Sequence, residues 1–165
     1  MGSEQALVRK IQEARRRLAT DGPPHVRSDG DFARVSLPVE DSDVLRDVLL
    51  AENPGTVIEI GLAYGSSALA IAEALVAAGS DEARHVIVDA YQNRFHGSGW
   101  AAITGAGLAG LCSLVEERSH IALPRLLGDG LVADAAFVDG SHIFHTYLST
   151  CFTYASGPPG RAGDP

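Results

Sequence analysis

The segment Glu59-Ile60-Gly61-Leu62-Ala63-Tyr64-Gly65-Ser66-Ser67 brings an acidic residue, two glycines and two serines close together. It follows a β-branched run and precedes an alanine-rich run. It therefore predicts a turn from a strand into a helix, where free backbone N–H groups can hold a carboxylate or a phosphate. The spacing departs from the dinucleotide fingerprint G-x-G-x-x-G, because Ala63 and Ser66 stand where that fingerprint has its second and third glycines. Glu59 would repel a pyrophosphate and favours a ligand that carries an ammonium group. The alternative is that the glycines serve only close packing of the turn.

Asp89 is the second acidic candidate, and it ends the next predicted strand. An acidic side chain at this position can accept hydrogen bonds from both hydroxyls of a ribose. It can equally form a turn or cap a helix, and the residue alone does not decide between these roles. Because parallel strands in an open sheet point their carboxyl ends to one crevice, Glu59 and Asp89 are expected to lie close together.

Glu59 suits a ligand with an ammonium group and Asp89 suits one with a ribose, and S-adenosylmethionine has both an ammonium group and a sulfonium. It is therefore the predicted cofactor, and a nicotinamide dinucleotide is a less favoured alternative because of Glu59. Tyr64, Ser119 and Trp100 could line the pocket, or they could simply be packed side chains. The predicted cofactor-binding residues are Glu59, Gly61, Ala63, Tyr64, Gly65, Ser66, Asp89, Ser119 and Asp139.

The segment Asp139-Gly140-Ser141-His142 follows a further apolar run and carries the predicted catalytic residues. Asp139 could bind a divalent cation through oxygen, and His142 could take a proton from a substrate hydroxyl as a general base. The alternative is that Asp139 and Ser141 form a turn and that His142 is a surface or packing residue.

Strands and helices must alternate if these residues are to share one sheet edge, and the sequence predicts that they do. The predicted helices are Glu4–Ala19, a helix from Pro38 to Asn53, Ser66–Ala78, Gly99–Leu108 and Ser119–Leu127, and the predicted strands are Thr56–Ile60, His85–Ala90, Ser113–Glu116 and Ala135–Val138. The stretch before Leu37 is polar and predicts no element. This order predicts an α/β fold, a Rossmann-like parallel sheet with helices on both faces.

The 165 residues, 45% of them hydrophobic, are enough for one domain. Within it we expect an N-terminal helical leader over residues 1–53, a cofactor-binding core over 54–147 and an irregular tail over 148–165. The tail contains Gly157-Pro158-Pro159-Gly160, which favours turns and offers no further strand. One hypothesis is that Leu148–Ser156 is read out of frame, since a shift by one base allows an apolar, helix-like sequence; sequencing of the coding DNA tests it.

The net charge of −8 argues against a nucleic-acid partner, because phosphate backbones are bound by basic surfaces. No run is apolar enough to span a bilayer and no signal peptide is recognisable, so we expect a cytoplasmic protein with a small-molecule substrate. Cys112 and Cys151 have no metal-like spacing.

From Val44 to His145 the sequence resembles class I S-adenosylmethionine-dependent methyltransferases, especially small-molecule O-methyltransferases of the catechol O-methyltransferase type with a D-G-S-H motif. The resemblance rests on the segments from Val57 to Ser67, from Val86 to Asp89 and from Ala133 to His142. It implies that Glu59 and Gly61 border the methionine end, Asp89 the ribose and Ser119 the adenine.

An aspartate at the position of Asp139 is a cation ligand in the metal-using members of that family, which makes magnesium a candidate here. The second acidic pair of those members is not found. Such enzymes also continue into a long helix, a fifth strand and a hairpin that this chain lacks, so the resemblance implies a C-terminally truncated fold. The leading hypothesis is methyl transfer to a hydroxyl of a small molecule. The alternative is a catalytically silent cofactor-binding domain that completes its sheet by forming a homodimer.

Overall fold

The computed structural model describes residues 2–23 and 31–140. Its elements, in chain order, are α1 (Gly2–Asp21), α2 (Asp31–Val35), α3 (Val39–Glu52), β1 (Thr56–Ile60), α4 (Ser66–Ala78), β2 (Arg84–Val88), a 3₁₀ turn (Gln92–Phe95), α5 (Ser98–Gly105), β3 (Cys112–Val115), α6 (Ser119–Gly128) and β4 (Ala135–Val138).

The strands form one sheet in the order β3-β2-β1-β4, and all three pairings are parallel. Ile60 pairs with Val88 on one side and with Val138 on the other, so the three strands end level with one another. The strands are rich in apolar residues because both faces of a parallel sheet are covered. The predicted α/β, Rossmann-like parallel sheet is confirmed.

Helices cover the two faces of the sheet unequally. On one face, Ala122 and Leu123 of α6 pack on Ile58 and Val86. On the other face α4 lies directly against the sheet, and its small side chains allow a close approach. Ile11 of α1 is buried in the same cluster as α4 and the sheet. The predicted leader is thus part of one hydrophobic core, while the division of the chain between residues 53 and 54 stays a prediction.

A charged network fastens α1 and α3 to α4. Glu73 is 3% exposed, and its carboxylate accepts hydrogen bonds from Gln12 (2.9 Å) and from Arg15. Arg15 also donates to Asp43 over 2.6 Å, and Arg46 donates to the same oxygen over 2.9 Å. The hydrogen bond from Arg15 lowers the pKa of Asp43. A buried carboxylate is stable only with such partners, so this network fixes how the helices lie on one another.

The helix α2 and the limits of several elements differ from the sequence prediction. The strand β2 ends at Val88 rather than Ala90, and α5 ends at Gly105 rather than Leu108. The polar stretch before Leu37 contains the short helix α2, which is five residues long and too short to show an apolar period. The third strand is Cys112–Val115, one residue earlier than predicted. No helix in residues 2–23 and 31–140 is long and apolar enough to cross a membrane.

Candidate cofactor-binding site

Three of the predicted site residues lie side by side at the carboxyl edge of the sheet. Gly61 N donates to Val88 O over 2.9 Å, and Asp139 N donates to Ile60 O over 3.0 Å. Asp89 follows Val88 directly and donates from its N to Val115 O over 3.0 Å. Asp139, Gly61 and Asp89 therefore stand on adjacent strands about 4.8 Å apart. Strands β2 and β3 lie on one side of β1, and β4 lies on the other. The topological switch point is therefore between β1 and β4, and ligands bind at such points in open α/β sheets.

The loop from Gly61 to Gly65, here called the glycine loop, has a backbone that most residues avoid. Gly61 has φ +96°, Ala63 +44° and Gly65 +89°. A Cβ atom on Gly61 would lie 2.6 Å from Asp139 O, because the end of β4 passes close to the loop. Ala63 takes the left-handed conformation despite its Cβ atom, which costs about 1–2 kcal/mol. Such strain persists only where the surroundings hold the backbone in place.

Asp89 holds the glycine loop from the side. Its Oδ2 atom accepts hydrogen bonds from Leu62 N at 3.0 Å and from Ala63 N at 3.1 Å. Its Oδ1 atom accepts one from Tyr91 N at 2.7 Å, which is the turn-forming role that the sequence left open. The predicted contact between Asp89 and a ribose stays a prediction.

Gln92 completes this arrangement, and sequence reasoning missed it. Its Nε2 atom donates to Asp89 Oδ2 over 2.8 Å and to Ala63 O over 3.0 Å. Its Oε1 atom faces Trp100 N in the first turn of α5, at 3.4 Å. Gly99 lies against the same loop, and a Cβ atom there would clash with Ala63 O. The signal that could have revealed Gln92 is its position three residues after a strand-terminal aspartate, in a turn.

Glu59 faces into the fold. It is 0% exposed, its Oε1 atom accepts a hydrogen bond from Ser67 Oγ, and its Oε2 atom lies 2.9 Å from His85 Nε2. The first turn of α4 also stabilises the negative charge of the carboxylate, since helix N-termini are electropositive. Both oxygens thus lie against protein groups, and the predicted contact with a ligand's ammonium group stays a prediction.

Tyr64 is packed between two aromatic rings. Its ring meets Phe32 edge to face with a centroid distance of 5.3 Å, and it meets Phe95 in the same way at 5.0 Å. It is 4% exposed. Tyr64 therefore lies in a packed aromatic environment, in keeping with the alternative that it is a packed side chain. Trp100, half-buried, likewise packs against the hydrophobic core.

The two serines predicted to bind the cofactor both open helices. Ser66 is the first residue of α4 and is partly exposed, and Ser119 is the first residue of α6 and is buried. Gly65 is the residue before α4, and it has no side chain that could cap the helix. Among the described residues no side chain caps the first turn of α4, so its first N–H groups suit the carboxylate of a methionine-like ligand.

Asp139 is exposed at the end of β4, next to Gly140, which packs on Ile60. Ser141 and His142 lie outside the described residues. Within the part of the chain that the structure describes, no group of three or more His, Cys, Asp or Glu residues could hold a metal ion. Within this part of the chain Asp139 therefore has no second and third ligand of these types, and a magnesium ion at Asp139 stays a prediction.

Comparisons with known proteins find solved structures with the same fold. The O-methyltransferase TomG from Streptomyces achromogenes, solved with SAM, has a TM-score of 0.63 at 21% identity over 89% of this chain and 60% of its own. The O-methyltransferase from Bacillus cereus, solved with SAH, has a TM-score of 0.61 at 16% identity over 86% of this chain and 61% of its own. The SAH-bound methyltransferase PaMTH1 from Podospora anserina has a TM-score of 0.62 at 22% identity, over 91% of this chain and 56% of its own.

At these identities the solved structures show a shared fold, and the chain spans about three fifths of their length. A search of curated protein sequences found no match. The family profile described as a methyltransferase domain matches residues 58–156, which is more than half of the chain. The chain therefore belongs to the methyltransferase domain family.

Proposed function

We propose that this protein binds S-adenosylmethionine and transfers its methyl group to a hydroxyl of a small molecule. The observation that carries the proposal is the glycine loop, held at the sheet edge between Asp89 and Asp139 and leading into the uncapped first turn of α4. Membership of the methyltransferase domain family supports it, as do the SAM and SAH bound in TomG and in the Bacillus cereus enzyme.

The chain's own residues offer complementary groups to each part of the cofactor. The N–H groups at the start of α4 bind its carboxylate, and the glycine loop lets the backbone approach closely. Asp89 Oδ1 accepts one protein hydrogen bond, from Tyr91 N, and a carboxylate oxygen has a second lone pair for a ribose hydroxyl. Ser119 follows β3 and is the first residue of α6, and it is assigned to the adenine.

When bound, the cofactor supplies a methyl group that its sulfonium activates. An oxygen nucleophile attacks that methyl carbon in line. Asp139, directly after β4 at the sheet edge where the glycine loop lies, and His142, three residues later in the sequence, are the proposed catalytic residues. His142 takes the proton of the acceptor hydroxyl as the oxygen attacks, and positioning of the acceptor supplies most of the remaining acceleration.

The proposed partner is a small-molecule acceptor rather than a nucleic acid, in keeping with the net charge of −8. Cytoplasmic location and a homodimer stay predictions.

Calorimetric titration of the protein with S-adenosylhomocysteine tests cofactor binding. The key variant is Asp89→Ala, and Asp134→Ala is its matched control. Asp134 also accepts two backbone hydrogen bonds, from Gly55 N at 3.0 Å and Thr56 N at 2.7 Å, at the opposite edge of the sheet. We expect saturable binding by the wild type and by Asp134→Ala and none by Asp89→Ala.

Transfer of a labelled methyl group from S-adenosylmethionine to a panel of small hydroxylated compounds tests the reaction. Binding that depends on Asp89, together with transfer, supports the full proposal. Binding without transfer to any compound would favour the silent cofactor-binding domain. No binding by a folded wild-type chain would overturn the proposal.

A further inference from the structure

Four buried polar side chains form a row from β3 to the start of α4, on the α4 side of the sheet. Cys112 Sγ lies 3.6 Å from His85 Nδ1, and His85 Nε2 lies 2.9 Å from Glu59 Oε2. Ser67 Oγ donates to Glu59 Oε1. Glu59 and His85 are 0% exposed, Cys112 5% and Ser67 8%. Polar groups this deep in the fold must satisfy one another.

The thiol of Cys112 is one end of this row. Burial, together with the nearby charge of Glu59, raises the pKa of Cys112 to about 12, so the thiol keeps its proton at neutral pH. Its S–H group can donate to His85 Nδ1, which leaves Nε2 as the ring atom that faces Glu59 as a donor. Nε2 and Glu59 Oε2 lie 2.9 Å apart, and among the described residues neither atom has another hydrogen-bond partner, so the imidazole N–H and the carboxylate oxygen can satisfy each other.

This row joins the two ends of the glycine loop. Glu59 lies two residues before Gly61, and Ser67 is the second residue of α4, directly after the loop. The carboxylate of Glu59 therefore ties the end of β1 to the first turn of α4. His85 supplies the second donor to that carboxylate, from the neighbouring strand β2. A buried carboxylate deprived of a donor must move or recruit another partner, and the first turn of α4 would move with it.

We propose that His85 is a positioning residue for the cofactor site: by donating from Nε2 to Glu59 it fixes the first turn of α4 in the geometry that receives the cofactor's carboxylate. This inference rests on the proposed function. It assigns no contact between His85 and the cofactor, since the imidazole is enclosed between the sheet and the helices.

Two amide variants of His85 distinguish a hydrogen-bond donor to Glu59 from a side chain that only fills the buried space. In His85→Gln the side-chain N–H reaches the place of Nε2 and can still donate to Glu59. In His85→Asn it reaches only the place of Nδ1, next to Cys112. Val86→Ala is the stability control, because Val86 is buried on the opposite face of the same strand, in a different hydrophobic cluster from Cys112. His85→Leu replaces the asparagine variant if that variant does not fold.

The experiment measures the Kd for S-adenosylhomocysteine and amide hydrogen exchange over residues 66–69. We expect His85→Asn to weaken binding about tenfold or more and to speed exchange in the first turn of α4. His85→Gln should stay within about threefold of the wild-type Kd, and Val86→Ala should leave Kd unchanged while lowering stability.

Equal affinities of the glutamine and asparagine variants would overturn the inference, whether both match the wild type or both are weak. If the wild type itself does not bind S-adenosylhomocysteine, the proposed function fails. Exchange over residues 66–69 then still decides whether His85 holds the start of α4, and unchanged exchange in His85→Asn would overturn that role.

Discussion

Replacement of Gly61 by alanine tests the close approach between the glycine loop and β4. Gly61 has φ +96°, and a Cβ atom there would lie 2.6 Å from Asp139 O and 2.8 Å from Gly140 Cα. Both obstacles are backbone atoms, so neither can rotate away as the end of a side chain can. The end of β4 or the loop itself would have to shift.

The expected cost has two parts. A residue with a Cβ atom at this φ value costs about 1–3 kcal/mol in backbone strain. Forcing two backbones apart costs about a further 1–3 kcal/mol, as in other overpacked sites. We expect Gly61→Ala to lower the free energy of unfolding by about 4 kcal/mol, which is a large part of the 5–15 kcal/mol that is usual for a domain.

Urea unfolding measures this cost, and two other glycines serve as controls. Gly97 has φ +68° with nothing within 4 Å of a Cβ atom, so Gly97→Ala should show the strain alone, about 1–2 kcal/mol. Gly105, at the end of α5, has no positive φ and open space around it, so Gly105→Ala should stabilise by up to about 1 kcal/mol. A loss in Gly61→Ala no larger than that in Gly97→Ala would refute the close approach of β4.

Three further predictions concern other contacts. Gln92→Ala should lower the free energy of unfolding by about 1–2 kcal/mol, and Gln92→Glu by more, because a carboxylate cannot donate to Asp89 and repels it; urea unfolding that ranks the two variants the other way would contradict this. The pKa of Cys112 near 12 gives about a thousandfold less thiolate than a pKa of 9.0. In a Cys151→Ser background, an aromatic disulfide reagent should therefore modify Cys112 only after unfolding. Rapid modification of the native protein would contradict the burial of this thiol. The hydrogen bond from Arg15 holds the folded-state pKa of Asp43 below its usual 3.8. The ion pair therefore stabilises the fold above that value, and this stabilisation is lost as the pH falls through the lower folded-state pKa. Acid titration of stability should show a smaller loss in Asp43→Asn than in the wild type, and equal losses would argue against the pair.

Local patterns in the sequence were enough to predict most of the sheet. Thr56–Ile60 and Ala135–Val138 are strands with the predicted limits, because each is a short apolar run bounded by turn residues. Ser66–Ala78 is the predicted helix after the glycine loop. The helix α2 could not be predicted, since five residues show no period.

The partners of the candidate site residues were harder to predict, because they come from distant parts of the chain. Nothing near Glu59 in the sequence indicates that its carboxylate meets His85, since that contact depends on the register between β1 and β2. Gln92 likewise acquires its role only once the turn after β2 folds back on the glycine loop. A sequence pattern identifies a carboxylate at a strand end, but tertiary packing decides what the carboxylate contacts.

Two of the three acids predicted from the sequence to bind the ligand, Asp89 and Glu59, support the glycine loop in the structure. Asp89 accepts two hydrogen bonds from the loop backbone, and Glu59 is bonded to the helix that follows the loop. The strained backbone at Ala63 needs this support, because its left-handed conformation is unfavourable by about 1–2 kcal/mol and each hydrogen bond contributes about 1 kcal/mol. A loop held in this way is ordered before a ligand arrives, so binding does not carry the entropic cost of ordering it. Loss of either acid would therefore weaken cofactor binding even where its carboxylate never touches the cofactor, which is why the binding experiments need stability controls such as Asp134→Ala and Val86→Ala.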